Sequence, residues 1–217
     1  MSARLDLDGL ADRLAAEQGA ARRIAAVAGA PGSGKSGFAR RLEARLAGRV
    51  AAQVLAMDGF HYDDLVLEAR GDRPRKGAPH TFDVDGLAAT LARIAGDRGA
   101  VAVPVFDRAI EIARAGARII EAGTRLVIAE GNYLLLDAPD WAALRRFFDL
   151  TVFLEVPEAE LERRLVARWA GYGLEGAALR EKMEGNDLPN MRLVVGRSVP
   201  ADVVVHDLDP SGAVDGS

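Results

Sequence analysis

Cysteine is absent from this sequence, which excludes disulfide bonds and thiolate metal sites. Long apolar runs are absent too: no segment approaches the roughly 20 apolar residues of a membrane-spanning helix, and the first ten residues carry acids where a secretory signal has an apolar core. An excess of basic residues is also lacking, since the net charge is -4, whereas nucleic-acid-binding proteins usually carry a basic patch. We therefore expect a cytoplasmic protein without a membrane or nucleic-acid partner, and a small anionic ligand stays open.

Lysine is scarce in this chain. Of the 28 basic side chains, only Lys35, Lys76 and Lys182 are lysines. Because arginine supplies the other positive charges, a lysine here is a stronger candidate for a specific role than it would be in an average protein. Lys35 and Lys76 both lie in glycine-containing segments.

Apolar runs alternate with helical patterns along the chain, and this alternation predicts the fold class. Several runs are continuously apolar, as expected for strands of a parallel sheet that is covered on both faces. The predicted strands are 23–29, 50–57, 101–106, 125–131, 151–156 and 201–206. The predicted helices are about 7–22, 37–46, 84–95 and 157–169. We predict a three-layer α/β fold with a parallel sheet flanked by helices.

The segment GAPGSGKS (29–36) fits the phosphate-loop pattern G-x-x-x-x-G-K-[ST] and lies between an apolar strand and a helix, where that motif functions. Its glycines let backbone N–H groups turn towards phosphate oxygens, and the following helix adds the positive end of its dipole. Lys35 would reach the β- and γ-phosphates of ATP, and the Ser36 hydroxyl would bind Mg²⁺. The predicted nucleotide contacts are Gly29, Ala30, Pro31, Gly32, Ser33, Gly34, Lys35, Ser36 and Gly37.

Two further features narrow the class of nucleotide-binding protein. None of the three lysines follows an asparagine, so the guanine-binding N-K-x-D motif of GTPases is missing. Glu130 ends the predicted strand RLVIAEG, a position from which a carboxylate can hold Mg²⁺ opposite Ser36. The alternative for Glu130 is a solvent-facing residue at a strand end.

The stretch VLAMDGFHYDD (54–64) ends a predicted strand in a cluster of acids, aromatic residues and a histidine. Ligands of α/β nucleotide-binding folds lie beyond the carboxyl ends of the strands, so we expect Asp58 to face the γ-phosphate. A carboxylate there can accept a proton from a substrate hydroxyl and orient its oxygen for phosphoryl transfer. The alternative for Asp58 is a turn residue ahead of Gly59. His61 and Tyr62 are further candidates for substrate contacts.

These motifs resemble those of the P-loop kinases of small metabolites related to pantothenate kinase, uridine kinase and phosphoribulokinase. The resemblance covers most of the chain, in the segments MDGFHYDD, RPRKGAPHTFDVDGL, VPVFDRAIE, VIAEGNYLLLD and NDLPNMRLVVGRSVPADVVV. RPRKGAPHTFD, PVFDR and EGNYLLLD followed by Trp141 are similar to the bacterial subgroup of fructose transport system kinases.

The resemblance implies roles for individual residues. Asp58 would be the catalytic base, and Arg163 and Arg168 would be lid-helix arginines that neutralise the transferring phosphoryl group together with Lys35. Ser36 and Glu130 would hold the Mg²⁺ ion. The resemblance also implies that Lys76 and Asp83 line the acceptor pocket and that Asn190 approaches the substrate or the nucleotide. With the candidates from the residues themselves, the predicted substrate contacts are Asp58, His61, Tyr62, Lys76, Asp83, Phe106, Arg108, Glu111, Glu130 and Asn190.

The segment PVFDRAIE departs from the pantothenate kinases, which offer smaller polar, histidine and tyrosine groups where this chain has Asp107, Arg108 and Glu111. Two acids and an arginine suit an acceptor with several hydroxyl groups, because each hydroxyl then finds a partner. A sugar is therefore favoured over pantothenate. A nucleoside stays open, because Phe60, Tyr62 and Phe106 could stack on a base.

We expect one P-loop kinase domain over residues 1–217, with a small helical lid at about 157–187 and a frayed tail at 210–217. The predicted activity is Mg²⁺-dependent transfer of the γ-phosphate of ATP to a hydroxyl of a small metabolite, with a sugar such as fructose favoured. A nucleoside or pantothenate-like kinase and an ATP-binding regulatory protein with slow hydrolysis are the alternatives, and a homodimer is left open.

Overall fold

A six-stranded parallel sheet forms the centre of the protein in the computed structural model, which describes residues 2–17, 19 and 21–206. The strands of the chain are β1 Ala3–Arg4, β2 Arg23–Gly29, β3 Ala52–Ala56, β4 Val101–Asp107, β5 Ile112–Ile120, β6 Leu126–Gly131, β7 Leu150–Leu154 and β8 Val203–Val205. Their order in the sheet is β1-β8-β7-β2-β6-β3, and every neighbouring pair is parallel. Strands β4 and β5 form a separate two-stranded antiparallel sheet.

Helices cover both faces of the central sheet. They are α1 Leu7–Ala16, α2 Lys35–Leu46, α3 Asp64–Arg70, α4 Val84–Ala95, α5 Pro139–Ala142, α6 Glu158–Gly171, α7 Gly176–Lys182 and α8 Leu188–Arg197. A short π-helix, Met183–Asp187, joins α7 to α8. The predicted α/β fold class is confirmed.

The core lies in two layers, one on each face of the sheet. Side chains alternate along β2, so that Ile24 packs into one layer and Ala25 and Val27 pack into the other. Helices α1 and α2 cover the layer around Leu14 and Phe38, while α4, α5, α6 and α8 cover the opposite one. Burial on both faces explains why these strands are continuously apolar.

The prediction for 101–106 was right about a strand and wrong about the parallel sheet. The exposure of side chains alternates along β4, with Val101 and Val103 buried, so only one face of this strand is covered. Pro104 has no N–H to donate, and the pairing with β5 shifts register between Val103 and Val105. Sequence analysis did not predict β5, whose residues are mostly exposed.

The opening helix is shorter than predicted. It ends at Ala16, before Gly19. Arg22, which the prediction included in this helix, lies directly before β2 instead. The guanidinium of Arg22 is buried and donates to the carbonyl oxygen of Thr124 at 2.9 Å. The tail predicted at 210–217 lies outside the described residues. In the part of the chain that the structure describes, no helix has the length and apolar character needed to cross a membrane.

Candidate active site

The carboxyl ends of β2, β3 and β6 meet at one edge of the sheet, as parallel strands must, and a cleft of about 1020 Å³ lies beyond them. The phosphate loop forms one wall of this cleft, and helix α6 with the π-helix forms another. The segment around residues 73–77 and the tip of the β4–β5 hairpin lie on the remaining side.

The phosphate loop has the backbone that its glycines allow. Gly32 and Gly34 have φ values of +85° and +82°, in the left-handed region that favours glycine. A Cβ atom at Gly32 would also come within 3.1 Å of the Leu161 carbonyl oxygen. Helix α2 then begins at Lys35, so its first N–H groups point towards the loop. Of the predicted nucleotide contacts, the structure brings six to the cleft, Pro31, Gly32, Gly34, Lys35, Ser36 and Gly37, whereas Gly29, Ala30 and Ser33 are buried beneath it.

Ser36, in the first turn of α2, meets Glu130, near the end of β6. Glu130 is in register with Val27 of β2, and the hydroxyl of Ser36 donates to Oε1 of Glu130 at 3.0 Å. Glu130 is buried, with 5% of its surface exposed, which is unusual for a carboxylate at a strand end. A hydroxyl and a carboxylate are oxygen ligands of the kind that Mg²⁺ prefers. Among the described residues there is no cluster of three or more His, Cys, Asp or Glu side chains that could hold a metal by itself.

Asp58 lies in the 3₁₀ turn Met57–Phe60 that follows β3, and its carboxylate is 2.8 Å from the guanidinium of Arg108. Burial alone would raise the pKa of Asp58, but the charge that His61 carries in acid and the charges of Arg108, Lys35 and Arg168 lower it below the ordinary value. Asp58 is therefore an ionised carboxylate at neutral pH, the form that can accept a proton.

His61 lies beside Asp58, between two phenylalanine rings. Its ring centroid is 4.0 Å from that of Phe82 and 4.7 Å from that of Phe106. Burial lowers the pKa of His61, against the opposing effect of Asp58, so the ring is neutral at pH 7. Nδ1 donates to the Asp58 carbonyl oxygen at 2.8 Å, which leaves Nε2 as a hydrogen-bond acceptor. His61 and Phe106 both line the cleft, as predicted substrate contacts would.

Lys76 is held on the opposite side of the cleft. Its Nζ atom is 2.6 Å from Oδ1 of Asp64 and 2.6 Å from the carbonyl oxygen of Glu111, and only 8% of the residue is exposed. Glu111 lies at the tip of the β4–β5 hairpin with φ of 56°, an unusual value for a residue other than glycine. The hairpin tip and the segment around Lys76 are therefore fixed to each other, and Lys76, Arg108 and Glu111 all line the cleft.

Two asparagines connect this segment to the π-helix. Asn186 donates from Nδ2 to the Lys76 carbonyl oxygen at 2.9 Å, and Asn190 donates to Oδ1 of Asn186 at 3.1 Å. Arg75 adds a hydrogen bond to the Gly185 carbonyl oxygen at 2.7 Å. Both asparagines are buried at the edge of the cleft. π-Helices are rare and recur at functional sites, which agrees with this position.

Three predicted substrate contacts do not line the cleft, namely Tyr62, Asp83 and Glu130. Glu130 is buried against Ser36, as described above. The carboxylate of Asp83 caps helix α4 by accepting from the N–H of Gly86 at 2.9 Å. The ring of Tyr62 lies 4.6 Å from the guanidinium of Arg70. Neither residue lines the cleft, because local contacts already hold each side chain elsewhere.

Helix α6 brings both predicted arginines, Arg163 and Arg168, to the cleft, together with Arg164. Arg163 forms a two-point ion pair with Glu160, with both N–O distances at 2.7 Å, and its side chain is 62% exposed. Arg164 is only 6% exposed, and its Nη1 atom is 3.5 Å from the carbonyl oxygen of Gly32 in the phosphate loop. Arg164 and Arg168 are four residues apart and so lie on one helix face, a signal that the sequence contained. Arg164 was not among the residues predicted from the sequence.

Asn132 and Asn186 were missed as well, and composition could have found them. The chain has three asparagines, Asn132, Asn186 and Asn190, and all of them line the cleft. The three lysines, Lys35, Lys76 and Lys182, also line the cleft. The Nζ atom of Lys182 lies over the ring of Trp169, 4.7 Å from its centroid. Rare polar side chains thus concentrate where a ligand would bind.

A parallel sheet with a phosphate loop at its carboxyl edge, next to the buried carboxylate of Glu130 and the ionised carboxylate of Asp58, is typical of a P-loop kinase. The sequence matches the Phosphoribulokinase / Uridine kinase family over residues 24–206. The chain belongs to this family, and the predicted family is confirmed. It is a phosphotransferase that uses an alcohol group as acceptor, and its phosphate loop is the ATP-binding motif of the family.

Individual relatives cover nearly the whole chain. The uncharacterized protein YggC of Escherichia coli (strain K12) is 35% identical over 85% of this chain and 77% of its own length. "Putative uridine kinase C227.14" of Schizosaccharomyces pombe is 34% identical over 86% of this chain and 84% of its own. The crystal structure of a "putative fructose transport system kinase" from Silicibacter sp. TM1040 has a TM-score of 0.87 and 42% identity, covering 92% of this chain and 98% of that one.

Proposed function

We propose that this protein transfers the γ-phosphate of ATP to a hydroxyl group of a sugar such as fructose, with Mg²⁺ bound at Ser36 and Glu130. The observation that carries the proposal is the ionised carboxylate of Asp58 in the cleft, 2.8 Å from Arg108 and close enough to Lys35 for that charge to lower its pKa. A carboxylate so placed is suited to orient a hydroxyl towards a phosphate held by the loop.

The reaction divides between the two sides of the cleft. The hydroxyl oxygen of the sugar forms a bond to the γ-phosphorus, the bond from that phosphorus to the β-phosphate oxygen breaks, and the hydroxyl proton passes to Asp58. Lys35, Arg164 and Arg168 supply positive charge to the transferring group and to the leaving ADP. One part of the Asp58 carboxylate would bind the substrate hydroxyl in place of Arg108. The remaining contact with Arg108 would keep the carboxylate oriented.

The residues present suit Mg²⁺. The hydroxyl of Ser36 and the buried carboxylate of Glu130 are 3.0 Å apart at the start of helix α2, next to the phosphate loop. Mg²⁺ is usually held by one or two such protein oxygens, with phosphate oxygens and water completing its shell. When bound, the ion would neutralise charge on the phosphates. The contribution of the protein is to hold the two oxygen ligands close together, Ser36 in the first turn of α2 and Glu130 near the end of β6.

A sugar fits the polar groups of the acceptor side. Arg108, Glu111, Lys76 and the neutral His61 supply donors and acceptors around Asp58. An unmatched buried polar group costs about 1–3 kcal/mol, so this wall favours an acceptor with several hydroxyls. The name of the Silicibacter protein, which is 42% identical to this chain, points to the same substrate class.

The lid and the domain organisation form part of the proposal. Residues 157–187 comprise α6, α7 and the π-helix, and Arg164, Arg168 and Trp169 of this segment line the cleft. The indole Nε1 of Trp169 donates to Asp187, which links the end of α6 to the π-helix. We propose that this segment closes over ATP and excludes water, as lids of other kinases do. It would act within a single kinase domain spanning residues 1–217.

A nucleoside is the second candidate acceptor. Phe106, Trp169 and Tyr172 bring aromatic rings to the same cleft, and such rings can stack on a base. The S. pombe relative carries the name of a uridine kinase.

The experiment is a panel of acceptors incubated with ATP and Mg²⁺ and analysed by mass spectrometry. The panel contains D-fructose, other hexoses, ribose, uridine and pantothenate. We expect a phosphorylated hexose, formed much faster than ATP is hydrolysed alone. The Lys35→Ala variant, purified in parallel, shows whether a contaminating kinase makes the product.

Other results of this assay would support the alternative functions. Phosphorylated uridine or pantothenate with no hexose product would replace the sugar proposal with the nucleoside or vitamin alternative. Slow ATP hydrolysis that no acceptor stimulates would support an ATP-binding regulatory protein instead.

A further inference from the structure

Asn132 lies next to the proposed catalytic base. Ala56 of β3 is in register with Glu130 of β6, so the residues that follow these two strand ends also lie side by side. A Cβ atom at Gly131 would come within 2.4 Å of the Cβ of Met57. The segments that follow β3 and β6 therefore approach so closely here that only glycine fits. Asn132 therefore follows Gly131 at the position beside Asp58, and it lines the cleft.

The backbone around Asn132 is fixed on both sides. Glu130 is buried in the sheet, two residues before it. Tyr133, one residue after it, is fully buried, and its hydroxyl donates to the Gly77 carbonyl oxygen at 2.6 Å. Asn132 is thus held between the proposed Mg²⁺ ligand and the segment that carries Lys76. A side chain at this point would meet the acceptor between the base and the opposite wall.

The carboxamide of Asn132 differs from those of the other two asparagines. Asn186 and Asn190 use theirs to connect Lys76 to the π-helix. The Oδ1 atom of Asn132 is buried and has no hydrogen-bond partner among the described residues. Buried polar groups nearly always have a partner. The last torsion of asparagine is broad and two-fold, so a turn of the amide would present either Oδ1 or the NH₂ group to a ligand in the cleft.

We propose that Asn132 determines acceptor specificity by binding a second hydroxyl of the acceptor, adjacent to the hydroxyl whose proton passes to Asp58. The inference rests on the proposed function and narrows it to acceptors with neighbouring hydroxyls. A simple alcohol would satisfy Asp58 and leave Asn132 without a partner. A sugar or another polyol satisfies both side chains.

The test compares an acceptor with its deoxy derivatives. D-Fructose and its 1-, 3-, 4- and 6-deoxy derivatives are assayed for kcat/KM with the wild-type protein, Asn132→Ala and Asn132→Leu. For the wild type, we expect loss of one neighbouring hydroxyl to lower kcat/KM about 10- to 100-fold. Both variants should lower kcat/KM for fructose by a similar factor and should hardly change it for that deoxy sugar. The preference should therefore fall to about one- to three-fold.

The two variants serve different purposes. Asn132→Leu keeps a side chain of similar size but removes the hydrogen-bonding atoms. It therefore tests the role of Asn132 in acceptor preference even if Asn132→Ala fails to fold. The KM for ATP and the Mg²⁺ concentration for half-maximal activity should match the wild type in both. Thermal midpoints measured in parallel show that the proteins are folded.

Two results would overturn the inference while leaving the kinase proposal standing. One is an unchanged preference for fructose over every deoxy derivative in both variants. The other is a raised Mg²⁺ requirement without a change in preference, which would assign Asn132 to the metal. If the wild type phosphorylates uridine instead, the same comparison with 2′- and 3′-deoxyuridine applies, and an unchanged preference again overturns the inference. If the wild type phosphorylates none of these compounds, the proposed function itself fails, and the inference fails with it.

Discussion

The Asp58→Asn substitution tests whether Asp58 acts in catalysis or only in the folded structure. The amide keeps the shape of the side chain but cannot accept the hydroxyl proton, so we expect kcat to fall by roughly 10²- to 10⁴-fold. Since Asp58 lies at the acceptor end of the cleft, the KM for ATP should change little. An asparagine can still donate a hydrogen bond to the acceptor, so some positioning should survive.

The effect on stability should be small by comparison. The Asp58 side chain is 25% exposed and that of Arg108 is 41% exposed, so solvent screens this ion pair. Such pairs contribute about 1 kcal/mol or less. For a protein of 217 residues, that corresponds to a shift of the thermal midpoint of about 2–4 °C at most. Steady-state kinetics and thermal unfolding of one Asp58→Asn preparation should therefore show a large loss of kcat and only a small loss of stability.

Asp97→Asn is the matched control. The Asp97 carboxylate is 27% exposed, close to the 25% of Asp58, and it also pairs with an arginine, lying 3.0 Å from the guanidinium of Arg22. Arg22 is buried, but it keeps its hydrogen bond to the Thr124 carbonyl oxygen in the variant. Asp97 does not line the cleft, and its φ of 45° is one that asparagine adopts readily. We expect unchanged kcat in this variant. Full activity in a folded Asp58→Asn protein would refute the catalytic-base assignment and leave Asp58 as a turn residue ahead of Gly59.

The pH dependence tests the same carboxylate. Because the pKa of Asp58 is lowered, the acid limb of kcat/KM in the wild type should lie below the ordinary aspartate value of about 3.9. Arg108→Gln removes one charge that opposes the effect of burial, so the pKa should rise and activity should be lost at a higher pH. A limb that stays in place in Arg108→Gln would show that Asp58 is not the group titrating in the profile.

Four other substitutions test the nucleotide side of the cleft. Lys35→Ala should abolish transfer, because it removes the charge facing the β- and γ-phosphates, and wild-type turnover would refute the phosphate-loop assignment. Glu130→Gln should leave ATP binding, measured by calorimetry, nearly intact and raise the Mg²⁺ concentration needed for half-maximal activity; an unchanged Mg²⁺ dependence would remove Glu130 from the metal site. Arg164→Gln should lower kcat about 10²- to 10³-fold and Arg163→Gln, its exposed neighbour, less than 10-fold, and the reverse order would restore the sequence-based choice of Arg163.

The sequence by itself determined the features that depend on neighbouring residues. A glycine-rich turn followed by Lys35 and Ser36 has one favourable arrangement between a strand and a helix, and the continuous apolar runs require a sheet covered on both faces. Asp58 was placed beyond a strand end by the same local logic, and the structure puts it at the cleft. The family also followed from such segments, because each carries its motif in consecutive residues.

Only the tertiary structure decided which side chains meet. Arg163 and Arg164 are adjacent in sequence, and only packing of α6 against the phosphate loop buries one of them and exposes the other. Asp83 fits an acceptor pocket by residue type, but the start of α4 offers its carboxylate an N–H group three residues away. Asn132 and Asn186 are 54 positions apart and reach one cleft because β6 and the π-helix converge there. Long-range contacts of this kind depend on the whole packed chain, so no local pattern specifies them.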